Sequence, residues 1–140
     1  MIKVTMALLA DFASIAIGGK LNILGIFDSL HTPAVPVVIP HIYLVMRIEG
    51  DVGEAGKQYE ADMQLIDDDG GKLLSLPGFL VLPQPPPGKF EIKYDQLFPF
   101  FNLKFERFGN YEFKIFINRE MRASVPLSVA RIEAPPQNQG

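Results

Sequence analysis

The chain has 140 residues, 12 glycines, 12 prolines, no cysteine, no tryptophan and a formal net charge of −3. That length bounds it to one domain able to close a core without a disulfide or metal, and an apolar content of 48% excludes wholesale disorder. The missing cysteines exclude thiol catalysis, disulfides, iron–sulfur and thiolate zinc chemistry, and the mild acidity argues against a nucleic-acid partner.

Proline and glycine interrupt the sequence roughly every 8 to 15 residues, and the runs between them are rich in Val, Ile, Leu, Phe and Tyr. Strands are predicted near residues 2–11, 20–30, 41–49, 58–67, 72–82, 89–96, 100–106, 110–117 and 121–132. The expected fold is all-β: a single-domain immunoglobulin-like or related Greek-key β-sandwich of about eight or nine strands over residues 1–132. Residues 133–140 have no apolar face and read as a disordered C-terminal tail.

In chain order, the first apolar run, Ala7-Leu8-Leu9-Ala10, is cut by Asp11, near the lower length limit for an export leader. A buried first strand fits it better, with a short helix through Met6 to Ile17 as the rival. A cytoplasmic location is therefore expected. No segment approaches the ~20 apolar residues of a membrane span, so no membrane partner is expected either. Gly18-Gly19 reads as a two-residue primed turn, pairing Ile17 with Lys20 and setting Phe12 over Gly25. This pair does not alternate cleanly. Ala13 and Leu24 fall on one side, Ala10 and Phe27 on the other, as in a pair covered on both faces.

The second hairpin turns at Asp69-Gly70, setting Leu65 against Leu74, Met63 against Leu76 and Gln64 against Ser75. Pro83-Gln84-Pro85-Pro86-Pro87 reads as an extended spacer. The last hairpin alternates strictly, and a three-residue loop, Asn118 to Glu120, sets Ile117 against Met121 and Phe113 against Val125. Pro126 cannot donate to a ladder and should face an open edge or a bulge. Gly109-Asn110-Tyr111 looks like the corner before the penultimate strand of an immunoglobulin-like sandwich, where a tyrosine hydroxyl returns to upstream backbone. The alternative is an ordinary half-buried aromatic.

Candidate chemistry is sparse. In the first-hairpin register Asp11 sits opposite Ile26 with Asp28 as its diagonal neighbour, roughly 7–8 Å away. That spacing suits paired carboxylates in a hydrolase, although aspartates at strand ends more often bond to turn backbone. Asp67-Asp68-Asp69 suggests a calcium or carbohydrate loop, but three contiguous aspartates lack the stagger of a calcium motif. His31 and His41, without a thiol, need carboxylates from elsewhere to hold zinc. Neither Gly-Gly-Lys-Leu copy completes a phosphate loop. No cofactor is expected. Phe98, Phe100 and Phe101 surround Pro99, and simple alternation cannot bury all three, so they are candidate interface anchors.

Met6-Ala7-Leu8-Leu9-Ala10-Asp11-Phe12-Ala13 and Gly19-Lys20-Leu21-Asn22-Ile23-Leu24-Gly25-Ile26-Phe27-Asp28 carry a family resemblance. It extends through Tyr43 to Arg47, Leu65 to Gly70 and Gly109 to Phe113. The chain resembles a bacterial family of small uncharacterised proteins, a domain of unknown function. The resemblance implies a bacterial or archaeal source and brings no activity, ligand or catalytic residue. With no catalytic constellation and much apolar strand material, the expected role is a non-catalytic binding or assembly module. It would engage a protein partner or a second copy through a strand edge or the aromatic corner. A calcium- or carbohydrate-binding sandwich is the alternative, and a hydrolase using Asp11 and Asp28 the third.

Overall fold

A computed structural model describes residues 1–132, so the expected tail at 133–140 lies outside the described residues. Nine strands form: β1 (Lys3–Ile15), β2 (Leu21–Phe27), β3 (Ser29–Thr32), β4 (Val37–Asp51), β5 (Gln58–Asp67), β6 (Lys72–Val81), β7 (Glu91–Phe105), β8 (Gly109–Ile117) and β9 (Glu120–Arg131). One short 3-10 turn, Val52–Glu54, follows β4. The strands make a four-stranded first sheet, ordered β2-β1-β4-β7, and a five-stranded second sheet, ordered β3-β9-β8-β5-β6. Leu9, Ile42, Leu44, Ile48 and Ile92 from the first sheet meet Leu65, Phe113, Leu127 and Val129 from the second in one core. The expected β-sandwich is the observed fold.

Residues 6–17 form strand through Ile15, not the rival helix. Three other boundaries differ from expectation, the first at β4, which begins at Val37 in place of the expected residue 41. The run 20–30 is cut at Asp28: β2 pairs with β1 in the first sheet, and β3 then runs parallel to β9 in the second. Conversely, Pro99 does not divide 89–106. Those residues form one strand, β7, because it lies at the sheet edge and pairs only with β4, which leaves proline a side without a ladder. Midway along β7, Asn102 adopts φ 57°. Phe101 and Asn102 are both exposed there, as are Pro40 and His41 on β4. The core-facing set thereby changes from Phe98 and Phe100 to Leu103 and Phe105 without loss of pairing.

The hairpin bodies and their turns behave differently. Leu65 pairs Leu74, Met63 pairs Leu76 and Gln64 pairs Ser75, as expected, but a bulge shifts the ladder at Leu65/Ile66. The Asp67 N–H then bonds the Gly71 carbonyl at 2.9 Å, leaving three residues, Asp68 to Gly70, in the loop. In the last hairpin Phe113 pairs Val125, as expected, and a bulge at Ile115/Phe116 brings Ile117 against Glu120 instead of Met121. The turn is Asn118-Arg119, with φ 50° and 66°, the two positive angles of a primed turn. Pro126 lies on the part of β9 that precedes the β3 pairing at Ser128, an open stretch of edge. Tyr111 is 5% exposed and its hydroxyl donates a 2.6 Å hydrogen bond to the Arg107 carbonyl, closing the expected tyrosine corner.

The first hairpin overturns its expected register by one residue. Ile15 pairs Leu21, Phe12 pairs Leu24 and Ala10 pairs Ile26. Ala16 bonds Lys20 across a three-residue loop containing Gly18 and Gly19, both at positive φ. Asp11, not Phe12, therefore covers Gly25, and a Cβ added at Gly25 would lie 2.9 Å from the Asp11 Cγ.

Candidate functional site

Residues directly opposite in an antiparallel pair share a face, so the registers define the outer surface of the first sheet. One row runs Ile26, Ala10, Tyr43, Pro99. A second holds Leu8, Val45 and Leu97. A third joins Leu24 to Phe12 and His41 to Phe101, with the Phe12 ring edge-on to Tyr43 at 5.3 Å between centroids. The His41 Nδ1 lies 2.7 Å from the Asp11 carbonyl oxygen, tying β4 to β1 at this end. Ala10 and Val45 are fully buried although they stand outside the inter-sheet core, so their neighbours on this face close over them.

The outer face of an antiparallel sandwich sheet is normally polar. Here Leu24, Ile26 and Phe101 are each more than 60% exposed. Beyond the apolar rows the face turns charged: Arg47 and Asp95 stand opposite each other, joined by hydrogen bonds of 2.7 and 3.1 Å, and the next row sets Glu49 between Lys3 and Lys93. These bonds and the charge of Asp95 hold the Arg47 guanidinium above its ordinary pKa. The pair neutralises itself. Among the described residues the outer edge of β2 is open, and Leu21–Phe27 carries no charge and no proline, the devices that usually blunt an edge strand.

The aromatic anchors expected at 98–101 separate. Phe100 is 8% exposed and packs on Phe113 at 5.6 Å between ring centroids, and Phe98 is half-buried against the same core. Neither presents a free ring; Phe101, at 64% exposure, does. Alternation along β7 sends Phe98 and Phe100 inward and Phe101 outward.

The outer face of the second sheet has the opposite character. A groove of about 610 Å³ is lined by Glu60, Asp62, Gln64, Phe79, Phe116 and Arg119. Its charges are already engaged: Asp62 accepts hydrogen bonds from Gln64 and Ser75, and Glu60 pairs with Arg119 at 3.3 Å.

The carboxylate candidates also resolve. Asp67, Asp68 and Asp69 bring ligand atoms within 4.8 Å of one another, close enough to hold a cation. However, the Arg107 guanidinium bonds both Asp67 and Asp69 at 2.9 Å. Asp67 Oδ1 further accepts the backbone N–H groups of Asp69 and Gly71. The Gly71 bond chiefly, then those of Asp69 and Arg107, hold the Asp67 carboxyl below the ordinary carboxylate range. The loop's first role is therefore to close a turn.

The expected pairing of Asp11 with Ile26 is replaced by the cover of Gly25, and Asp28 lies beyond the end of β2. The Asp28 carbonyl accepts the Ser128 N–H at 2.9 Å where the chain changes sheets. The shallow hollow of about 330 Å³ beside Asp28 is lined by Leu8, Ile26 and Pro126 but not by Asp11. In this register Asp28 is no longer the diagonal neighbour of Asp11. Among the described residues no helix is long and apolar enough to cross a membrane.

The sequence belongs to DUF6941, a family of unknown function, whose model matches residues 5–130. No curated protein matches the chain. Among solved structures it is similar to Pseudomonas fluorescens alkylpurine DNA glycosylase AlkC bound to DNA containing an abasic site analog, at 10% identity and a TM-score of 0.47. That likeness covers 92% of this chain and 30% of the other, so the chain spans under a third of the glycosylase.

Proposed function

We propose that this DUF6941 protein is a non-catalytic assembly module in which the outer face of the first sheet packs against the same face of a second copy. The observation that carries this reading is the apolar surface from Ile26 and Leu24 through Phe12 and Tyr43 to Pro99 and Phe101, interrupted by His41 alone among the residues of these rows. A patch of this size is on the scale of the largest that soluble monomers carry, and such patches often mark interaction sites. Four strands at ~4.8 Å spacing and three rows at ~6.8 Å give a footprint of roughly 20 Å by 20 Å. Counted on both copies that is roughly 800 Å², below the ~1,200–2,000 Å² of standard specific interfaces, so the expected association is weak, with an affinity in the micromolar range.

Charge favours a second copy as the partner. The chain carries −3 overall, yet the apolar rows carry none of that charge, and the rows beyond them set opposite signs together, Arg47 with Asp95 and Glu49 with Lys3 and Lys93. A two-fold contact there brings no like charges together, and the same patch serves both subunits. The parallel β3–β9 pair and the tyrosine corner at the start of β8 support an immunoglobulin-like class for the sandwich.

Charge insertion tests the reading. Leu24→Lys and Phe101→Lys each put an ammonium group in the proposed contact, whereas Phe79→Lys, on the polar face, does not. The first two are expected to abolish association and the third to leave it unchanged. Equal behaviour of all three contradicts the proposed face.

A further inference from the structure

Between the sheets lies a second cavity, of about 170 Å³, on the side where β6 and β7 are the free edges. Its deep wall is apolar: Met46, Ile48, Met63, Ile115 and Ile117 line it, each under 5% exposed. Protein interiors seldom leave voids larger than a water molecule, so a hollow of this size has a specific origin. Ala61 and Gly78 stand opposite each other on β5 and β6, on the face shared with Met63 and Leu80. Two of the smallest residues therefore occupy one cross-strand position in a layer otherwise built of large side chains. A Cβ added at Gly78 would meet nothing within 4 Å.

The mouth has a different chemistry. Gln96 lies opposite Met46 and so shares its inward face, at the edge of the first sheet. It brings a carboxamide, both donor and acceptor, to the rim of the apolar hollow. Ligand sites commonly combine an apolar body with a few such polar groups. Among the described residues no cationic side chain lines the cavity, so a carboxylate or phosphate head has no counter-charge there, and the one carboxylate residue of the lining, Asp62, belongs to the outer face of β5, where Gln64 and Ser75 already bond it.

We infer that this inter-sheet cavity is a binding site for a small neutral amphiphile: a short alkyl or aryl group inserted between the sheets, with an uncharged hydrogen-bonding head at Gln96. An apolar cavity of about 150 Å³ accommodates benzene, so the inserted group has about six carbon atoms. The site is separate from the outer face of the first sheet and stands whether or not that face associates.

The five methionines make the test local, because Met46 and Met63 line the cavity whereas Met6 and Met121 do not. The full chain, labelled at the methionine methyl groups, is titrated with n-hexanol and benzyl alcohol and followed by NMR. Saturable shifts are expected at Met46 and Met63, with Met6 and Met121 unmoved. Gly78→Leu fills the hollow and is expected to weaken both probes at least tenfold; Ala61→Val is the second variant should Gly78→Leu fail to fold. Gln96→Leu is expected to weaken hexanol binding while leaving xenon binding in the same cavity intact. Absent saturation, equal shifts at all four methyl groups, or undiminished binding in a folded cavity-filling variant would each overturn the inference.

Discussion

The hydroxyl of Tyr111 donates a 2.6 Å hydrogen bond to the backbone carbonyl of Arg107, and the side chain of that same arginine holds Asp67 and Asp69 across the β5–β6 turn. One residue thus joins the corner before β8 to the neighbouring hairpin through its backbone on one side and its guanidinium on the other. The Phe105 ring meets Tyr111 edge-on at 5.0 Å, fixing the phenol from the core side.

Tyr111→Phe keeps the packing and removes the donor. The Arg107 carbonyl then loses its partner at a half-buried corner, and the expected loss of stability is about 1–2 kcal/mol. Urea denaturation followed by circular dichroism measures it; an unchanged midpoint would mean that water replaces the hydroxyl without cost.

Asp67 gives the stability a predictable pH dependence. Its folded pKa is depressed, chiefly by the Gly71 N–H, with Asp69 and Arg107 adding to the effect. The contribution is therefore fully present above the unfolded carboxylate pKa and lost as pH falls through the folded value. Asp67→Asn should lower the melting temperature at neutral pH, and the gap to wild type should close on acidification below the usual carboxylate range. A gap that stays constant with pH would show that the turn geometry, and not the charge, matters.

The neighbouring phenylalanines at 100 and 101 should separate by readout. Phe100→Ala empties a buried site against Phe113 and is expected to cost about 3–5 kcal/mol. Phe101→Ala removes an exposed ring, so monomer stability should stay within about 0.5 kcal/mol of wild type. Self-association should instead weaken. Dilute-solution unfolding and a concentration series together distinguish the two effects.

Gly25 sits at φ 71° beneath the Asp11 side chain. Gly25→Ala is expected to destabilise by about 1–2 kcal/mol from the left-handed backbone alone, plus whatever displacing Asp11 costs. Adding Asp11→Ala should recover only the second part. Full recovery in the double variant would show that the backbone there relaxes.

The sequence made the face assignment legible wherever polar and apolar residues alternate. Met63, Leu65, Phe113 and Val125 all pair as the pattern requires, because a one-residue slip would turn each toward solvent. The turns were less legible, since the bulges at Leu65/Ile66 and Ile115/Phe116 absorb a residue without disturbing the body of the hairpin. In β1 and β2 both faces are apolar, so alternation carries no phase and the register shifted by one. That lack of alternation was itself the sign of the candidate surface. The cavity was harder to see. Gly78 and Ala61 are unremarkable in sequence until the pairing of β5 with β6 sets them opposite each other.

Sedimentation equilibrium over a range from low to high micromolar concentration tests the proposed assembly most directly. The chain mass is 15.6 kDa. The wild type should approach twice that value at the upper end of the range, while Leu24→Lys remains at the chain mass throughout. A wild type that stays at a single chain mass into the high micromolar range would contradict the account.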